Sequence, residues 1–167
     1  SQIYDPIQGR RYNGNIDLLQ TSIHNADLRY EYFFGRTELI SVSLFYKNFI
    51  EPIEMVSFNK APREIQPINS GQADLYGAEF EFRKAIGFKS KPHISFVLGA
   101  NFTYVISRVN MNNVIADNSY DSNNDGTPDS EKEIRQDNAR EGEVIGDYRP
   151  MFGQSPFIVN GFLTFKN

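Results

Sequence analysis

Between Ala26 and Phe49 the chain reads ADLRYEYFFGRTELISVSLFYKNF, and its apolar positions recur at every second residue. Leu28, Tyr30, Tyr32 and Phe34 share one face, and Asp27, Arg29 and Glu31 share the other; beyond a short break Ile40, Val42, Leu44 and Tyr46 line up again. A period of two predicts β-strand, because successive side chains leave opposite faces of a sheet. Gly35 and Arg36, followed by Thr37, separate the two runs. So short a connection, with a glycine able to take positive φ, predicts an antiparallel hairpin. DLYGAEFEFRK repeats the pattern, with Tyr76, Ala78, Phe80 and Phe82 against Gly77, Glu79, Glu81 and Arg83. From Ile94 to Ser107 the two sets separate almost completely, Ile94, Phe96, Leu98, Ala100, Phe102, Tyr104 and Ile106 facing away from Ser95, Val97, Gly99, Asn101, Thr103, Val105 and Ser107. SPFIVNGFLTF, near the end, predicts another strand. The expected fold is all-β, an antiparallel up-and-down meander of about five long strands.

The connections alternate in length. The break at Gly35 is short, the stretch from about 50 to 73 is long and interrupted by Pro52, Pro62 and Pro67, the turn over Ala85 to Pro92 is short, and residues 108–154 are long again. In an up-and-down array alternate connections lie at one end, so both long ones are expected on one rim. Residues 1–25, with Pro6, Gly9, Gly14 and several Asn, read as an irregular segment on that rim. At ~3.3 Å per residue the run from Ile94 to Ser107 exceeds roughly 40 Å. Globular strands average about five or six residues, whereas strands that cross a membrane in a barrel need ~9–11. Two architectures fit: a membrane barrel with apolar faces turned to lipid, or a soluble sandwich with those faces closed on each other.

Composition narrows the classes. The mean hydropathy is -0.48, and no apolar run approaches the ~20 residues of a spanning helix. The opening SQIYDPIQGRR lacks the apolar stretch of a signal peptide, which predicts a mature, cut or cytosolic beginning. Cysteine is absent, so disulfides and thiolate metal sites are excluded. Ten acids against three bases fall between Asp117 and Asp147, and the chain as a whole carries -4 without a basic stripe, which argues against nucleic acid. The two histidines, His24 and His93, are far apart, and no phosphate loop, nucleophile elbow or zinc spacing is present. Enzymatic function is not expected.

One loop motif carries chemistry. DSNNDGTPD sets Asp121, Asn123, Asp125, Thr127 (through its carbonyl) and Asp129 at the spacing of a calcium loop, with Gly126 at the sharp turn. Lys132 stands where an EF-hand has its bidentate glutamate, so Glu131 or Glu133 would have to substitute. The alternative is an Asp/Asn/Gly turn in an exposed acidic loop.

HNADLRYEYFFGRTELISVSLFYKNFIEPIE, then ADLYGAEFEFRK, FVLGANFTYVISRV and RPMFGQSPFIVNGFLTFKN resemble, in order and spacing, successive strands from the C-terminal half of a TonB-dependent outer-membrane receptor of the kind abundant in Bacteroidota. The most specific piece is Arg149–Asn160. The resemblance implies a segment of a large transmembrane β-barrel in the cell outer membrane of a Gram-negative bacterium, with residues 26–167 as barrel wall and residues 1–25, 50–73 and 108–154 as extracellular loops. It implies as partners the rest of the barrel, a plug domain, the TonB energy-coupling protein, outer-membrane lipid and a surface lipoprotein. The cargo would be a scarce nutrient: a siderophore, glycan, cofactor or peptide. Tyr30, Tyr32, Ile40, Val42, Leu44, Phe80, Phe96, Leu98 and Phe102 are then expected to face lipid, and Glu79, Glu81, Arg83, Asn101 and Thr103 the lumen. No plug, TonB box or closing strand is visible in these residues, so the chain reads as a piece of such a transporter. A soluble calcium-stabilised β-domain for surface adhesion and a passive porin are the competing functions.

Overall fold

The computed structural model describes residues 2–58, 61–88, 91–115 and 120–166. In chain order its strands are β1 (Gln2–Asp5), β2 (Arg10–Asn13), β3 (Ser22–Phe33), β4 (Leu39–Ile50), β5 (Ile53–Phe58), β6 (Ala61–Asn69), β7 (Gln72–Phe88), β8 (Lys91–Asn110), β9 (Tyr148–Arg149) and β10 (Phe157–Lys166). A 3-10 turn covers Met111–Asn113, and α1 covers Glu131–Asp137. Five strands are long, β10, β8, β7, β4 and β3, and they pair in that spatial order as an antiparallel meander. Two compact units result: Asn25–Lys47, Leu75–Ile106 and Gln154–Asn167 form the wall, and Ser1–His24, Asn48–Asp74 and Ser107–Gly153 form the loop unit.

The wall is two-faced. β10 pairs β8 antiparallel with Phe157 opposite Tyr104, Val159 opposite Phe102, Leu163 opposite Leu98 and Phe165 opposite Phe96. Leu28, Tyr30, Tyr32, Ile40, Val42, Leu44, Phe80, Leu98 and Phe102 on that face are exposed, Tyr30 at 68% and Leu44 at 53%. The alternate positions hold close packing. Phe162 lies opposite Gly99, and a Cβ on Gly99 would come within 2.2 Å of its ring. A Cβ on Gly77 would meet the Tyr104 carbonyl oxygen at 2.1 Å and the Phe45 ring at 2.6 Å. Here glycine lets an aromatic ring lie over the strand, which strengthens a sheet that would otherwise be weakened by missing side chains.

The β3–β4 turn is longer than the break at Gly35 and Arg36 suggests. It spans residues 34–38, with the Phe34 amide donating to the Glu38 carbonyl at 3.3 Å. Glu38 then ties the turn to β7, accepting from Lys84 Nζ at 3.0 Å and from the Ala85 amide at 3.2 Å, while Lys84 Nζ stands 5.0 Å from the Phe34 ring centroid. In the β7–β8 turn Lys89 and Ser90 lie outside the described residues, as does the side chain of His93.

The loop unit contains more regular structure than its prolines and asparagines suggest. β1 and β2 make a hairpin with Gly9 at φ 62, so residues 1–25 are not wholly irregular. β5 and β6 pair antiparallel through the Pro-rich stretch, Met55 facing Pro67, and β2 joins β6 in parallel at Arg11–Glu64 and Tyr12–Ile65. Pro67 is tolerated because its carbonyl accepts from Asn15 Nδ2 at 3.1 Å, on the side away from β5. In a strand a residue's N–H and C=O point the same way, so the missing donor falls on that side too and costs the β5–β6 ladder nothing. Ile68, Ala73, Val109 and Val114 form the core of this unit, with Phe49, Val56 and Met151 against it.

The two close approaches give different expectations. Gly99→Ala collides with a movable ring and should cost less than Gly77→Ala, which collides with backbone; overpacking costs about 1–3 kcal/mol. Thermal unfolding of the intact barrel in detergent checks the order, and Phe162→Ala should relieve Gly99→Ala but not Gly77→Ala.

Candidate functional site

Three polar assemblies stand out, one on the wall and two in the loop unit. On the wall, Arg29 Nε donates to Glu31 Oε1 at 2.6 Å, its Nη1 to Ser43 Oγ at 3.2 Å and its Nη2 to Glu81 Oε2 at 3.0 Å. Arg83 Nη2 reaches the other Glu81 oxygen at 3.0 Å, and its guanidinium stands 5.9 Å from the Phe162 ring centroid. Asn160 Nδ2 donates to Asn101 Oδ1 at 2.9 Å across β10 and β8. Glu81 thus reaches past β4 to Arg29 of β3, Arg83 bonds Glu81 on its own strand, and Asn101 meets Asn160 of the adjacent β10. Their polar groups hold register and keep the wall's charges compensated.

In the loop unit a charged centre joins residues distant in sequence. Arg149, on β9, donates from Nη2 to Glu54 Oε2 at 2.7 Å, from Nη1 to Glu54 Oε1 at 3.3 Å and to the Pro150 carbonyl at 3.0 Å, and from Nε to the two Glu131 oxygens at 2.7 and 2.9 Å. Glu54, on β5, also accepts from Ser70 Oγ at 2.7 Å and from the Phe152 amide at 2.9 Å. Local structure puts each group in place. Ser130 and Glu133 form a capping box that starts α1 and sets Glu131 in its first turn, and Glu131 also receives Arg135 Nε at 2.9 Å. β9 is fixed by pairing Arg149 with Val109 of β8, and the Met111 amide donates to the Asp147 carbonyl at 2.8 Å.

The Glu54 side chain is 5% exposed and that of Arg149 13%. Burial works to raise the Glu54 pKa, but the hydrogen bonds from Arg149, the Phe152 amide and Ser70, with the Arg149 charge, outweigh it and hold the carboxyl below its ordinary value. Burial likewise disfavours the Arg149 cation, and the bonds to Glu54 and Glu131 overcome it, raising its pKa. The pair is ionised and fully hydrogen-bonded, the one condition under which buried charge is tolerated. A cavity of about 770 Å³ lies beside it, lined by Arg10, Met55, Val56, Ile65, Ile134 and Phe152 among others. None of Glu54, Glu131 or Arg149 stands out in a strand-period reading. The Ser130–Glu133 spacing and the RPMF sequence were the available signals.

The third assembly is the acidic loop. Asp121 accepts the Asp125 amide at 3.2 Å and the Gly126 amide at 3.0 Å, Asn123 Oδ1 accepts the Asp125 amide at 2.9 Å, and Asp125 Oδ1 accepts the Thr127 amide at 2.8 Å and hydroxyl at 2.6 Å. The Thr127 hydrogen bonds hold the Asp125 carboxyl below the usual carboxylate range. Among the described residues no three His, Asp or Glu side chains converge as a ready-made metal cage.

Strands of ten to twenty residues, apolar and exposed on one face and polar on the other, define a segment of transmembrane β-barrel wall rather than a soluble sandwich. The family model described as TonB dependent receptor-like, beta-barrel matches residues 1–165. The chain belongs to the TonB-dependent receptor family, whose members are outer-membrane transporters rather than enzymes. No curated protein and no solved structure matches the chain.

Glu54→Ala leaves Ser70 and the Phe152 amide without their acceptor and Arg149 with Glu131 alone, so its cost should lie below the roughly 3–5 kcal/mol of a buried charge left with no partner. Limited proteolysis of the intact receptor should cut within residues 108–153 far faster in this variant. Because the Glu54 carboxyl is held below its ordinary value, its contribution is present above the usual carboxylate range and is lost as pH falls through the lower folded-state value. Proteolytic resistance of these loops should therefore drop as pH falls below the usual carboxylate range in the native protein, and should vary less with pH in Glu54→Gln.

Proposed function

We propose that this chain forms five wall strands and part of the extracellular surface of a receptor that imports a scarce nutrient with energy coupled from the inner membrane. The observation that carries the reading is the wall's two-faced strands. In them Tyr30, Tyr32, Ile40, Val42, Leu44, Phe80, Phe96, Leu98 and Phe102 face lipid, and Glu79, Glu81, Arg83, Asn101 and Thr103 face the lumen. Residues 1–25, 50–73 and 108–154 are its extracellular segments, in a Gram-negative outer membrane and in a receptor of the Bacteroidota type. Arg29 and Arg83 both pair with Glu81, so these charges serve the wall. Choice among siderophore, glycan, cofactor and peptide then rests with the loops and the plug, and a surface lipoprotein is the partner expected on the loop side.

Energy coupling separates this function from passive flow. Cells carrying the full receptor should accumulate the nutrient against its gradient, and collapse of the inner-membrane proton gradient should stop accumulation at once. Unchanged influx after collapse would make the protein a pore.

A further inference from the structure

We infer that an extended peptide docks in the loop unit by adding a strand to the free edge of β5, with an acidic side chain held by Arg10. The inference rests on the import function proposed above and names its cargo as a short peptide. The first observation is the edge itself. β5 ends the four-stranded sheet, in the order β1, β2, β6, β5. The Ser70 amide donates to the Pro52 carbonyl at 2.8 Å, and Pro67, opposite Met55, turns its carbonyl to Asn15 rather than to β5. Both place the bonds to β6 on Pro52, Glu54 and Val56. The N–H and C=O groups of Ile53, Met55 and Ser57 therefore point outward, away from β6. Among the described residues no strand and no loop amide or carbonyl takes them up.

The second observation is what that edge faces. Glu54, Met55, Val56 and Ser57 all line the cavity of about 770 Å³. Alternation puts Met55 and Ser57 on one face of the strand and Glu54 and Val56 on the other, so a cavity touching all four runs along the edge, where the free groups are. From Ile53 to Ser57 the edge extends over about 13 Å, room for about five peptide residues. An unpaired edge is a template for another chain. Among the candidate cargos, a peptide is the one whose backbone repeats N–H and C=O at a strand's spacing, and strand addition draws its affinity from those bonds.

The walls sort the side chains such a peptide carries. Glu54 accepts the Phe152 amide, which sets Phe152 on the Glu54 face; its ring is 81% exposed, and Ile134 lines the cavity with it. On the other face Ser57 lies opposite Ile65, and Ile65 beside Tyr12 of β2. Two residues before Tyr12, Arg10 falls on that face as well, and it too lines the cavity. Asp5 stands opposite Arg10 on β1, but its Oδ1 takes the Ile7 and Gln8 amides, and among the described residues Arg10 forms no ion pair. The other guanidiniums on the cavity, Arg135 and Arg149, are neutralised by Glu131 and Glu54. Arg10 is thus its uncompensated charge. A peptide with apolar residues toward Phe152 and an acidic residue toward Arg10 matches both faces.

The test is fluorescence anisotropy of a capped, dye-labelled pentapeptide, LDLVL, on the full-length receptor in detergent. Binding should saturate below about 1 mM. A strand turns alternate amides to alternate sides, so of the two alternate N-methylation patterns one should abolish binding and the other leave it unchanged, with the receptor itself unaltered. Met55→Pro, whose lost donor points away from β6, should remove binding that Met55→Ala retains. Arg10→Gln should weaken LDLVL at least about tenfold and leave the neutral peptide LNLVL unchanged. No saturation, both methylation patterns acting alike, or native affinity in Met55→Pro would overturn strand addition; so would receptor dimers that Met55→Pro dissolves, which give the edge to a second copy. Undiminished LDLVL binding in Arg10→Gln would overturn the Arg10 contact. Energy-dependent uptake of another nutrient through a receptor that binds no peptide overturns the peptide and leaves import standing, whereas peptide bound but never accumulated overturns import and leaves the edge standing.

Discussion

The wall depends on one constraint: a sheet whose outward side chains are Leu, Ile, Val, Phe and Tyr cannot present that face to water without associating. The exposed row of Leu28, Tyr30, Ile40, Val42, Leu44, Leu98, Phe102, Val159 and Leu163 forms too continuous a patch for a soluble surface. In the function proposed above lipid covers this face, and lipid in turn demands that every backbone N–H and C=O find a partner within the sheet. That demand accounts for the length and regularity of β7 and β8. It also explains the opposite face, where Phe45 over Gly77 and Phe162 over Gly99 bring bulk across the strands without disturbing the ladder.

The loop unit answers a different problem. Its segments come from three places in the sequence, carry several prolines and bury little apolar surface beyond Ile68, Ala73, Val109 and Val114. Hydrophobic burial on that scale does not order so many loop residues. The Glu54–Arg149–Glu131 centre supplies the missing specificity. Arg149 offers a planar fork that only a carboxylate in one orientation can meet twice, so β5, α1 and β9 are set in one arrangement rather than merely held together. A pair of this kind contributes more to uniqueness than to net stability, since burial of both charges offsets much of their attraction.

What could be read in advance followed from periodicity. Leu28 to Phe34 and Ile94 to Ser107 alternate almost throughout, with Phe33, Val97 and Val105 as the exceptions, because the two sides of a barrel wall differ in chemistry. Short elements in the loop unit escape that test. QIYD and RRYN are four residues each, too brief for a period to declare itself, and Pro67 reads as a breaker unless one knows that its missing donor faces away from β5. The charged centre was hidden for a deeper reason. Glu54 and Arg149 are 95 positions apart, and nothing local marks either as buried. The acidic loop was visible as a spacing of Asp and Asn, but the bond from Ser122 to Asp137, 15 positions on, was not.

Single spin labels placed one at a time from Phe96 to Tyr104, in the full-length receptor reconstituted into liposomes, test the central claim most directly. Collision with oxygen, which concentrates in lipid, should be high at 96, 98, 100, 102 and 104 and low at 97, 99, 101 and 103, while a water-soluble nickel complex should fail to reach the even set. Even-numbered positions open to the nickel complex, or collision rates without a period of two, would contradict it.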